Sequence, residues 1–493
     1  MLNMASCDRQ GRVLLANDAV YRVVDQGQRH AVLNVLETID KLDALGIVQT
    51  EICTDEASTV GIYRGAGALV LKHRKIAFIS YPNEWCASML KDAALFHLTL
   101  SEHLFKYALF LKDAHPWNIL FENGQPILVD FTSVVSRDSL FDEDYLEGNK
   151  VYRGDDAETH LARLLKEIFE RMYLPYFVNP LGVYAFGVRC HVRKRIENTT
   201  LNASTSVISL RDFLPALRLR KFSPTKLFGL FRLWLGLKIS TNRLTNKKDV
   251  PNFYREVHQR LTDLRVEAGS SAYSGYYKAK GEDQDWNFSD EWNTKQKAVY
   301  SAINTPEIVT VLDVACNTGW FAVLAEKLGK HVVAFDIDEA CIEALYGQVK
   351  NDRLNILPLV LDLTQLTQDR YSIYDGGIVL INTTQRLRAD SVIALGIFHH
   401  LTLGVGLSFE AVLGLLMPLC KKQLVIEFVD ANDLMIKNEP LFFPAYFQNK
   451  DLLSGYELAR LVALCEGFGF DVRCEQSIPA TRTILVCKKR ETA

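Results

Sequence analysis

The spacing of apolar residues changes twice along this chain of 493 residues. Residues 1–160 alternate turns with short β-like runs, namely RVLLA, AVYRVV, GALVLKH, IAFISY and PILVDF. From residue 156 to residue 174 the apolar residues recur at steps of three and four, which predicts a helix. From about Tyr273 onwards, strand-like runs alternate with helical patterns, as in a parallel α/β sheet. We therefore expect three segments: an α+β region at 1–160, a helical connector at 161–272 and an α/β domain at 273–493.

Three predicted strands of the α/β domain end in residues that suit ligand binding. The first, VLDV, is followed by a tight turn at residues 315–319 and by a helix that Gly329 stops. The second, HVVAF, ends on Asp336, and the third, ILPLVL, ends on Asp362. Small residues let the backbone of the turn approach a ligand, and the helix N-terminus offers free N–H groups. Because open α/β sheets bind ligands at the carboxyl ends of their strands, we expect a cofactor at this edge.

The composition of the turn separates two classes of cofactor that use this layout. A dinucleotide requires Gly-x-Gly-x-x-Gly, because its pyrophosphate rests on the turn. Here Ala315 and Asn317 occupy the first two small positions, and only Gly319 matches. A looser turn preceded by Asp313 suits a ligand with an amino group and a sulfonium, which describes S-adenosylmethionine. The missing glycines make a nicotinamide oxidoreductase the weaker alternative.

The sequence from Asp313 to Gly319, Asp-x-x-Cys-Asn-Thr-Gly, resembles the first motif of class I S-adenosylmethionine-dependent methyltransferases. The resemblance extends over about residues 273–493. It includes SVIALGIFHHL (391–401), which is similar to the fourth strand of many such enzymes, and a tail similar to their closing antiparallel hairpin. It implies a Rossmann-like sheet. It also implies that the methionine moiety is held by Asp313, Ala315, Asn317 and Gly319, the ribose by Asp336 and the adenine edge by Asp362.

Methyl transfer from a sulfonium needs little covalent help, so the protein chiefly aligns the reacting atoms and removes a proton from a hydroxyl acceptor. His400, predicted at a strand end facing the cleft, has a pKa suited to that proton transfer, although it could instead pack against the cofactor. His399 is expected on the opposite side, in a structural role. The Asn-Pro-Pro-Tyr pattern of amino-group methyltransferases is absent after this strand. We therefore expect a hydroxyl or carboxyl acceptor, and favour a hydroxyl of a small molecule or glycan, presented near Tyr276 and His400.

A second set of polar residues lies in the N-terminal segment. Residues 111–133 read LKDAHPWNILFENGQPILVDFTS, which resembles the catalytic loop of protein kinases. The resemblance implies an ATP and Mg²⁺ site formed by Asp113, Asn118 and Asp130, with one Asp orienting a hydroxyl and the other two holding the metal. Thr132 stands where the family has a glycine. Three interpretations stay open: phosphoryl transfer, a kinase-like module that binds without catalysis, and a chance pattern in which Asp130 caps a turn.

The two segments together resemble one family over most of the chain. The stretches SYPNEWCASMLKDAAL and LKDAHPWN, followed by the methyltransferase-like region, are similar to nodulation-type bacterial methyltransferases of the NoeA kind. This resemblance does not name a substrate. Two alternatives to a simple methyltransferase remain: a bifunctional methyltransferase–kinase, and a non-catalytic binding protein on a degenerate methyltransferase fold.

The connector between these segments is locally basic. Residues 189–248 contain 14 Lys and Arg but only Glu197 and Asp212, around the apolar run LFGLFRLWLGLKI at 227–239. Such a stretch could be an interfacial membrane anchor, a site for phosphate-rich or acidic glycans, or a helical hairpin that packs between domains. We favour packing and keep peripheral membrane contact as an alternative. The whole chain is nearly neutral, with 56 basic and 59 acidic residues, so no nucleic-acid partner is expected.

The remaining features favour a cytoplasmic protein. Ten cysteines without any Cys-x-x-Cys pair argue against a disulfide scaffold and a thiolate zinc site, and no metal is expected there. The first residues carry Asp and Arg where a signal peptide needs an apolar stretch. The apolar segment 391–419 contains two His, a Glu, glycines and a Pro, so we expect a buried strand and helix, not a membrane span. The oligomeric state is left open.

Overall fold

The structure is a computed structural model, and it describes residues 3–6, 12–16, 19–42, 45–54, 67–137, 157–186, 224–271, 273–275, 286–366, 370–371, 379–439, 441–444 and 455–490. The basic residues between 187 and 223, and Tyr276, lie outside these ranges.

The N-terminal segment is α+β, as predicted. Its elements are β1 (Asn3–Ser6), β2 (Arg12–Leu15), β3 (Ala19–Val24), α1 (Arg29–Ile39), β4 (Thr50–Ile52), β5 (Leu69–Arg74), α2 (Ala87–Lys106), β6 (Leu109–Leu111), β7 (Ile119–Glu122), β8 (Gln125–Leu128) and β9 (Val134–Ser136). The first five strands form an antiparallel sheet in the order β1-β2-β3-β5-β4. A kinase-like fold for this segment stays a prediction.

The predicted β-like run at residues 76–81 does not form a strand, which corrects the sequence interpretation. Its backbone groups bond to side chains instead of a neighbouring strand. The Ile79 carbonyl accepts a hydrogen bond from Arg386 at 2.6 Å, and the Tyr81 N–H donates to Glu84 at 2.8 Å. Pro82 then starts a short 3₁₀ turn. The apolar character of the run therefore reflects burial, not strand pairing.

The connector is helical where it is described. Its helices are α3 (Ala157–Ile168), α4 (Asn179–Phe186), α5 (Pro224–Arg243) and α6 (Val250–Thr262). The predicted helix at 156–174 is present, but it does not end at Leu174. It continues as a π-helical stretch, Phe169–Val178, that contains Pro175. The wider π turn accommodates a proline that would clash with the preceding turn of an α-helix.

The C-terminal segment has a Rossmann-like sheet of seven strands. Its elements are α7 (Thr294–Ile303), β10 (Thr310–Val314), α8 (Trp320–Lys327), β11 (His331–Asp336), α9 (Glu339–Asp352), β12 (Ile356–Val360), β13 (Arg370–Tyr371), β14 (Val379–Leu380), α10 (Thr383–Arg386), β15 (Ala389–Ala394), α11 (Phe409–Leu416), β16 (Cys420–Val429), α12 (Leu434–Asn438), α13 (Leu458–Gly467), β17 (Phe470–Gln476) and β18 (Arg482–Lys489). The strand order is β12-β11-β10-β15-β16-β18-β17. The first five strands are parallel, and β17 and β18 form an antiparallel hairpin at the edge, as the resemblance predicts.

The predicted position of His400 at a strand end is wrong. Strand β15 ends at Ala394, and Gly396 then adopts a φ of +66°, which turns the chain away from the sheet. His400 is the first residue of a π-helical segment that ends at Val405. The prediction of a strand followed by a helix in 391–419 is confirmed by β15 and α11. Within the described ranges, no helix combines the length and apolar character that crossing a membrane requires.

One hydrophobic core connects the described parts of all three predicted segments. It contains Trp85 from the N-terminal segment, Phe253 from the connector and Leu312 from the Rossmann-like sheet, all nearly inaccessible to solvent. Strand β10 lies at the centre of this core because its apolar residues face helices on both sides of a parallel sheet. The domain boundaries at 160 and 272 remain a prediction.

Candidate active site

The turn after β10 has an unusual backbone. Ala315, Asn317 and Gly319 all have positive φ, at 56°, 54° and 82°. Asn tolerates this region, whereas an Ala there costs about 1–2 kcal/mol. A Cβ on Gly319 would lie 2.6 Å from Cδ1 of Leu345 in α9, so this glycine is required by helix packing. The turn thus brings the N-terminus of α8 close to α9 and holds a strained Ala at the predicted cofactor position.

Asp336 at the end of β11 organises the turn. Its Oδ2 accepts the N–H of Asn317 at 2.9 Å, and its Oδ1 accepts the N–H of Asp338 at 2.9 Å. Burial raises the pKa of Asp336, even though these backbone donors act to lower it. Each carboxylate oxygen has a second lone pair, so hydroxyl donors can still be accepted. The structure therefore places Asp336 next to the turn, in an arrangement compatible with the predicted contact to a ribose.

Asp313 on β10 is a buried carboxyl with an unused oxygen. Asp313 is only 3% exposed to solvent, and its Oδ2 atom has no hydrogen-bond partner. Burial, together with the charge of Asp336, raises the pKa of Asp313 to about 8, although the backbone N–H of Ala322 acts against this. An unpaired buried carboxyl oxygen is costly, so a cationic or hydrogen-bonding ligand at this position would be stabilised.

Asp362 occupies the third position, after β12. Its Oδ1 accepts the backbone N–H of Thr364 at 2.8 Å and the hydroxyl of the same residue at 2.7 Å. The backbone links it to Asp336, whose carbonyl accepts the N–H of Leu361 at 3.1 Å. The carboxylate thus caps a 3₁₀ turn. Its predicted contact with the adenine edge stays a prediction.

Aromatic residues that precede the sheet lie against the turn and α8. Asn317 Nδ2 donates to the carbonyl of Tyr273 at 3.1 Å, and the Tyr273 ring lies 6.3 Å from Phe442. The indole of Trp286 donates to the Trp320 carbonyl at 3.1 Å. Tyr273 is therefore next to the predicted cofactor turn, whereas Trp286 packs at the start of α8.

The two histidines after β15 stack on one another and on Phe443. The ring centroids of His399 and His400 are 4.4 Å apart, and His400 lies 5.1 Å from Phe443 at an angle of 26°. Burial lowers the pKa of His400, which keeps its imidazole neutral near pH 7. His399 is 2% exposed, and neither of its ring nitrogens has a partner. His400 is the more accessible of the two, while His399 is the one with unsatisfied polar atoms.

A charged cluster beside these histidines was not predicted from the sequence. Glu427 on β16 is 1% exposed and pairs with Lys295 of α7 at 2.9 Å. Arg482 of β18 lies 3.8 Å from the same carboxylate and 3.1 Å from Asp433. Burial lowers the pKa of His399, and the positive charges of Arg482 and Lys295 lower it further. The one sequence signal was a Glu inside the apolar run QLVIEFV, because a buried carboxylate needs a cation nearby.

The N-terminal residues Asn118 and Asp130 lie together at the base of the β7–β8 hairpin. The N–H of Val129 donates to the carbonyl of Asn118 at 2.9 Å, and Asp130 accepts from the N–H of Thr132 at 3.1 Å. Asp113 is on the loop before this hairpin, and its carbonyl is 3.2 Å from Nε2 of His97. Asp130 therefore caps the 3₁₀ turn that follows it.

Arg22 of β3 changes the chemistry expected at Asp130. Its guanidinium lies 2.9 Å from Oδ1 of Asp130 and donates to the hydroxyl of Thr132 at 2.8 Å. Burial acts to raise the pKa of Asp130, but Arg22 and Thr132 outweigh it and hold the pKa below its usual value. A carboxylate paired in this way does not fit a Mg²⁺ ligand without a rearrangement of Arg22. Across the described ranges, no three His, Cys, Asp or Glu side chains are grouped to hold a metal.

Buried polar atoms without hydrogen-bond partners concentrate at the edge of the Rossmann-like sheet and around Asp130. Ten such side-chain atoms occur in the described residues. Five belong to the sheet edge, on Asp313, Trp320, His399 and Thr402, and four surround Asp130, on Arg22, His73, His115 and Asn118. Because folded proteins satisfy most buried polar groups, such clusters mark positions where a ligand can supply the missing bonds. The fold therefore supports two candidate sites.

The sequence of this chain is similar to those of known proteins, over most of its length in one case and over a short stretch in another. No protein-family model matches the chain. The nodulation protein NoeA of Rhizobium meliloti (strain 1021) is 24% identical over 445 residues, which cover 87% of this chain and 85% of that protein. The ribosomal protein L11 methyltransferase of Thermotoga maritima is 37% identical over 71 residues, 14% of this chain and 27% of that protein. The predicted similarity to nodulation-type proteins is thus confirmed over most of the chain.

Solved structures give weaker similarity. The magnesium protoporphyrin IX methyltransferase of Synechocystis PCC 6803 with bound SAH is 17% identical, covers 44% of this chain and 97% of its own, and has a TM-score of 0.27. The bifunctional kinase-methyltransferase WbdD is 15% identical, covers 44% and 42%, and has a TM-score of 0.30. TM-scores of this size do not by themselves establish a shared fold or activity.

Proposed function

We propose that the protein is an S-adenosylmethionine-dependent methyltransferase whose acceptor is a hydroxyl of a small molecule or glycan. One observation carries the proposal: the buried Asp313 carboxyl has an unpaired oxygen at the end of the central strand of a Rossmann-like sheet. Ligands of such sheets bind at this edge. The similarity of the chain, over a short stretch, to a ribosomal protein methyltransferase supports the same activity.

The residues at the strand ends fit this cofactor. Its amino and sulfonium groups are cationic, and Asp313 offers a carboxyl oxygen without a partner. Its ribose hydroxyls are donors, and Asp336 keeps acceptor capacity beside the turn. The bound cofactor would supply a methyl group on a good leaving group. The task of Asp313 and Asp336 is then binding and orientation, which contributes substantially to the rate of a group transfer.

His400 supplies a neutral base for a hydroxyl acceptor. Because burial lowers its pKa, the imidazole can accept a proton at neutral pH without first losing one. Its ring is fixed by stacking on Phe443. Lys295, which pairs with Glu427, is close enough for its charge to act on both Asp313 and His399. We assign this pair to positioning, since both charges compensate one another.

The formation of S-adenosylhomocysteine tests this activity. The full chain is incubated with S-adenosylmethionine and separate panels of mono- and oligosaccharides, carboxylic acids and amines, and the product is measured by mass spectrometry. We expect turnover with hydroxyl-bearing sugars that is lost in Asp313→Asn. Turnover with amines alone would contradict the assigned acceptor. Absence of S-adenosylhomocysteine in every panel, with no cofactor binding, would contradict the methyltransferase itself.

A second candidate function is ligand binding in the N-terminal segment. The four unpaired buried atoms around Asp130 favour it, because His73 and Asn118 provide polar groups that the fold leaves unused. Since Arg22 pairs with Asp130, we propose binding without catalysis ahead of phosphoryl transfer. The bifunctional methyltransferase–kinase remains the alternative.

Titration with ATP, in the presence and absence of Mg²⁺, distinguishes these alternatives. A binding module is expected to take up ATP without hydrolysis, and Asn118→Ala is expected to weaken this binding. Release of ADP that disappears in both Asp113→Ala and Asp130→Ala would instead establish phosphoryl transfer. The control is the methylation assay, which should be unaffected by these N-terminal substitutions.

A further inference from the structure

Helix α5 is apolar on two opposite faces. The first face packs into the core through Leu230, Leu233 and Leu237, all of which are buried. This confirms the packing interpretation of the connector for that face. The neighbouring helix α6 is buried in the same core through Val257 and Leu261. Helix α5 is therefore held firmly on the protein along this face.

The second apolar face of α5 is open to solvent. Phe228 is 62% exposed, Phe231 53%, Leu235 40% and Ile239 41%. With 3.6 residues per turn, these four side chains fall within about 80° of one another on the side opposite the buried leucines. Together these four side chains form a contiguous apolar stripe along a helix of 20 residues. An exposed stripe of this kind marks an interaction surface.

The charges of α5 are exclusively basic. The helix contains Lys226, Arg232, Lys238 and Arg243 and no acidic residue. On the helical wheel Lys238 lies at one border of the stripe and Arg232 lies at the other. Arg243 lies beside Arg232, but it pairs with Glu256 of α6 at 3.4 Å. The Lys238 ammonium is 5.1 Å from the Trp234 ring, so the stem of this side chain runs along the helix. Basic side chains on both borders can reach outwards while their stems cover the apolar edge.

We propose that this face of α5 docks the protein on an anionic lipid surface. A helix anchored along one side, with a stripe of Phe, Leu and Ile on the other and cations along both borders, has the arrangement of an interfacial membrane helix. The apolar stripe enters the boundary between headgroups and acyl chains, while Arg232 and Lys238 pair with lipid phosphates. Charge complementarity favours this partner, because a second copy would bring the same basic borders face to face.

Vesicle co-sedimentation of the full chain tests the proposal. The vesicles contain phosphatidylcholine alone or phosphatidylcholine with phosphatidylglycerol. We expect binding to the anionic vesicles only, weakened by salt, and at least about tenfold weaker for Phe231→Glu. Ile478→Glu is the matched control, because Ile478 is 81% exposed and lies outside α5. It should bind like the wild type.

A second variant separates the charge contribution from the fold. Arg232→Gln combined with Lys238→Gln keeps the apolar stripe and should weaken binding to anionic vesicles, while circular dichroism confirms that the protein remains folded. Equal binding to both vesicle types, no binding, or binding unaffected by Phe231→Glu would overturn the proposal. A dimer in solution that Phe231→Glu dissociates would also overturn it, since the stripe would then be covered by a second copy.

Discussion

Arg386 of the Rossmann-like segment and Glu84 of the N-terminal segment form an ion pair that is completely buried. The guanidinium also donates to the Ile79 carbonyl at 2.6 Å and lies over the Tyr81 ring at 4.2 Å. Tyr81 in turn accepts the N–H of Ile381 at 2.8 Å. The described parts of the two segments are therefore held together by a specific polar contact, in addition to the shared apolar core.

Substitution of Glu84 by Gln should destabilise the protein strongly. The change leaves an unpaired guanidinium in the interior, and breaking a buried pair of this kind costs about 3–5 kcal/mol. Thermal unfolding should show a midpoint lower by several degrees. The control is Glu37→Gln, because the Glu37–Lys41 pair is largely exposed and contributes little. Similar midpoints for both variants would contradict the structural role of the buried pair.

Cofactor affinity should rise with pH. Burial, together with the charge of Asp336, raises the pKa of Asp313 to about 8, so the free protein carries a proton there at pH 7. A cationic ligand favours the carboxylate, and binding therefore releases that proton. The dissociation constant should fall by up to about tenfold per pH unit and level off above about pH 8. Calorimetry in buffers of different ionisation enthalpy measures the released proton, and Asp313→Asn should remove the dependence.

The stability of the free protein should show the opposite trend. The unfolded chain ionises Asp313 near its ordinary pKa of 3.8, whereas the folded chain keeps the proton until about pH 8. The folded state therefore binds more protons between these values. This group makes the protein less stable as the pH rises through that range. Denaturation of Asp313→Asn across the same range should show a smaller loss.

Loss of His400 should affect the chemical step and leave cofactor binding unchanged. Removal of a general base lowers kcat by about 10²–10⁴-fold. Because burial lowers the pKa of His400, the kcat of the wild type should persist below pH 6.5, which is the ordinary pKa of a histidine. His331→Ala is the control, since that side chain is exposed at the start of β11. A full rate in His400→Ala would leave His400 with a packing role only.

Gly319 should tolerate an added methyl group less well than Gly329 does. Both have positive φ, at 82° and 74°, so both substitutions by Ala introduce backbone strain of about 1–2 kcal/mol. Only at Gly319 would the new Cβ meet another side chain, Leu345 at 2.6 Å, whereas nothing lies within 4 Å at Gly329. Gly319→Ala should therefore cost about 1–3 kcal/mol more. Equal losses in chemical denaturation would contradict this packing argument.

Much of the sheet could be predicted because its signals are local. Strands β10, β11 and β12 are apolar runs, and each is followed by a turn or an Asp that the sequence shows directly. The end of β15 could not be predicted in this way. The sequence stays apolar from Ala394 to Phe398, and only the backbone of Gly396 reveals that the strand has ended.

The polar contacts of the sites depend on long-range packing. Glu427 and Lys295 are 132 positions apart, and Arg22 reaches Thr132 across 110 positions, so neither pairing leaves a local pattern. The sequence therefore predicted the carboxylates at the strand ends, but not the cations that accompany them. For the same reason, the kinase-like resemblance implies a Mg²⁺ ligand at Asp130, while nothing in the local sequence indicates its partner Arg22.

Calorimetric binding of S-adenosylmethionine and S-adenosylhomocysteine tests the central claim most directly. We predict micromolar binding by the native chain and at least tenfold weaker binding, about 1.4 kcal/mol, for Asp336→Ala. Asp352→Ala serves as the control, because Asp352 is exposed at the end of α9. It should bind both ligands like the native chain. No binding of either ligand at millimolar concentration would contradict the methyltransferase assignment.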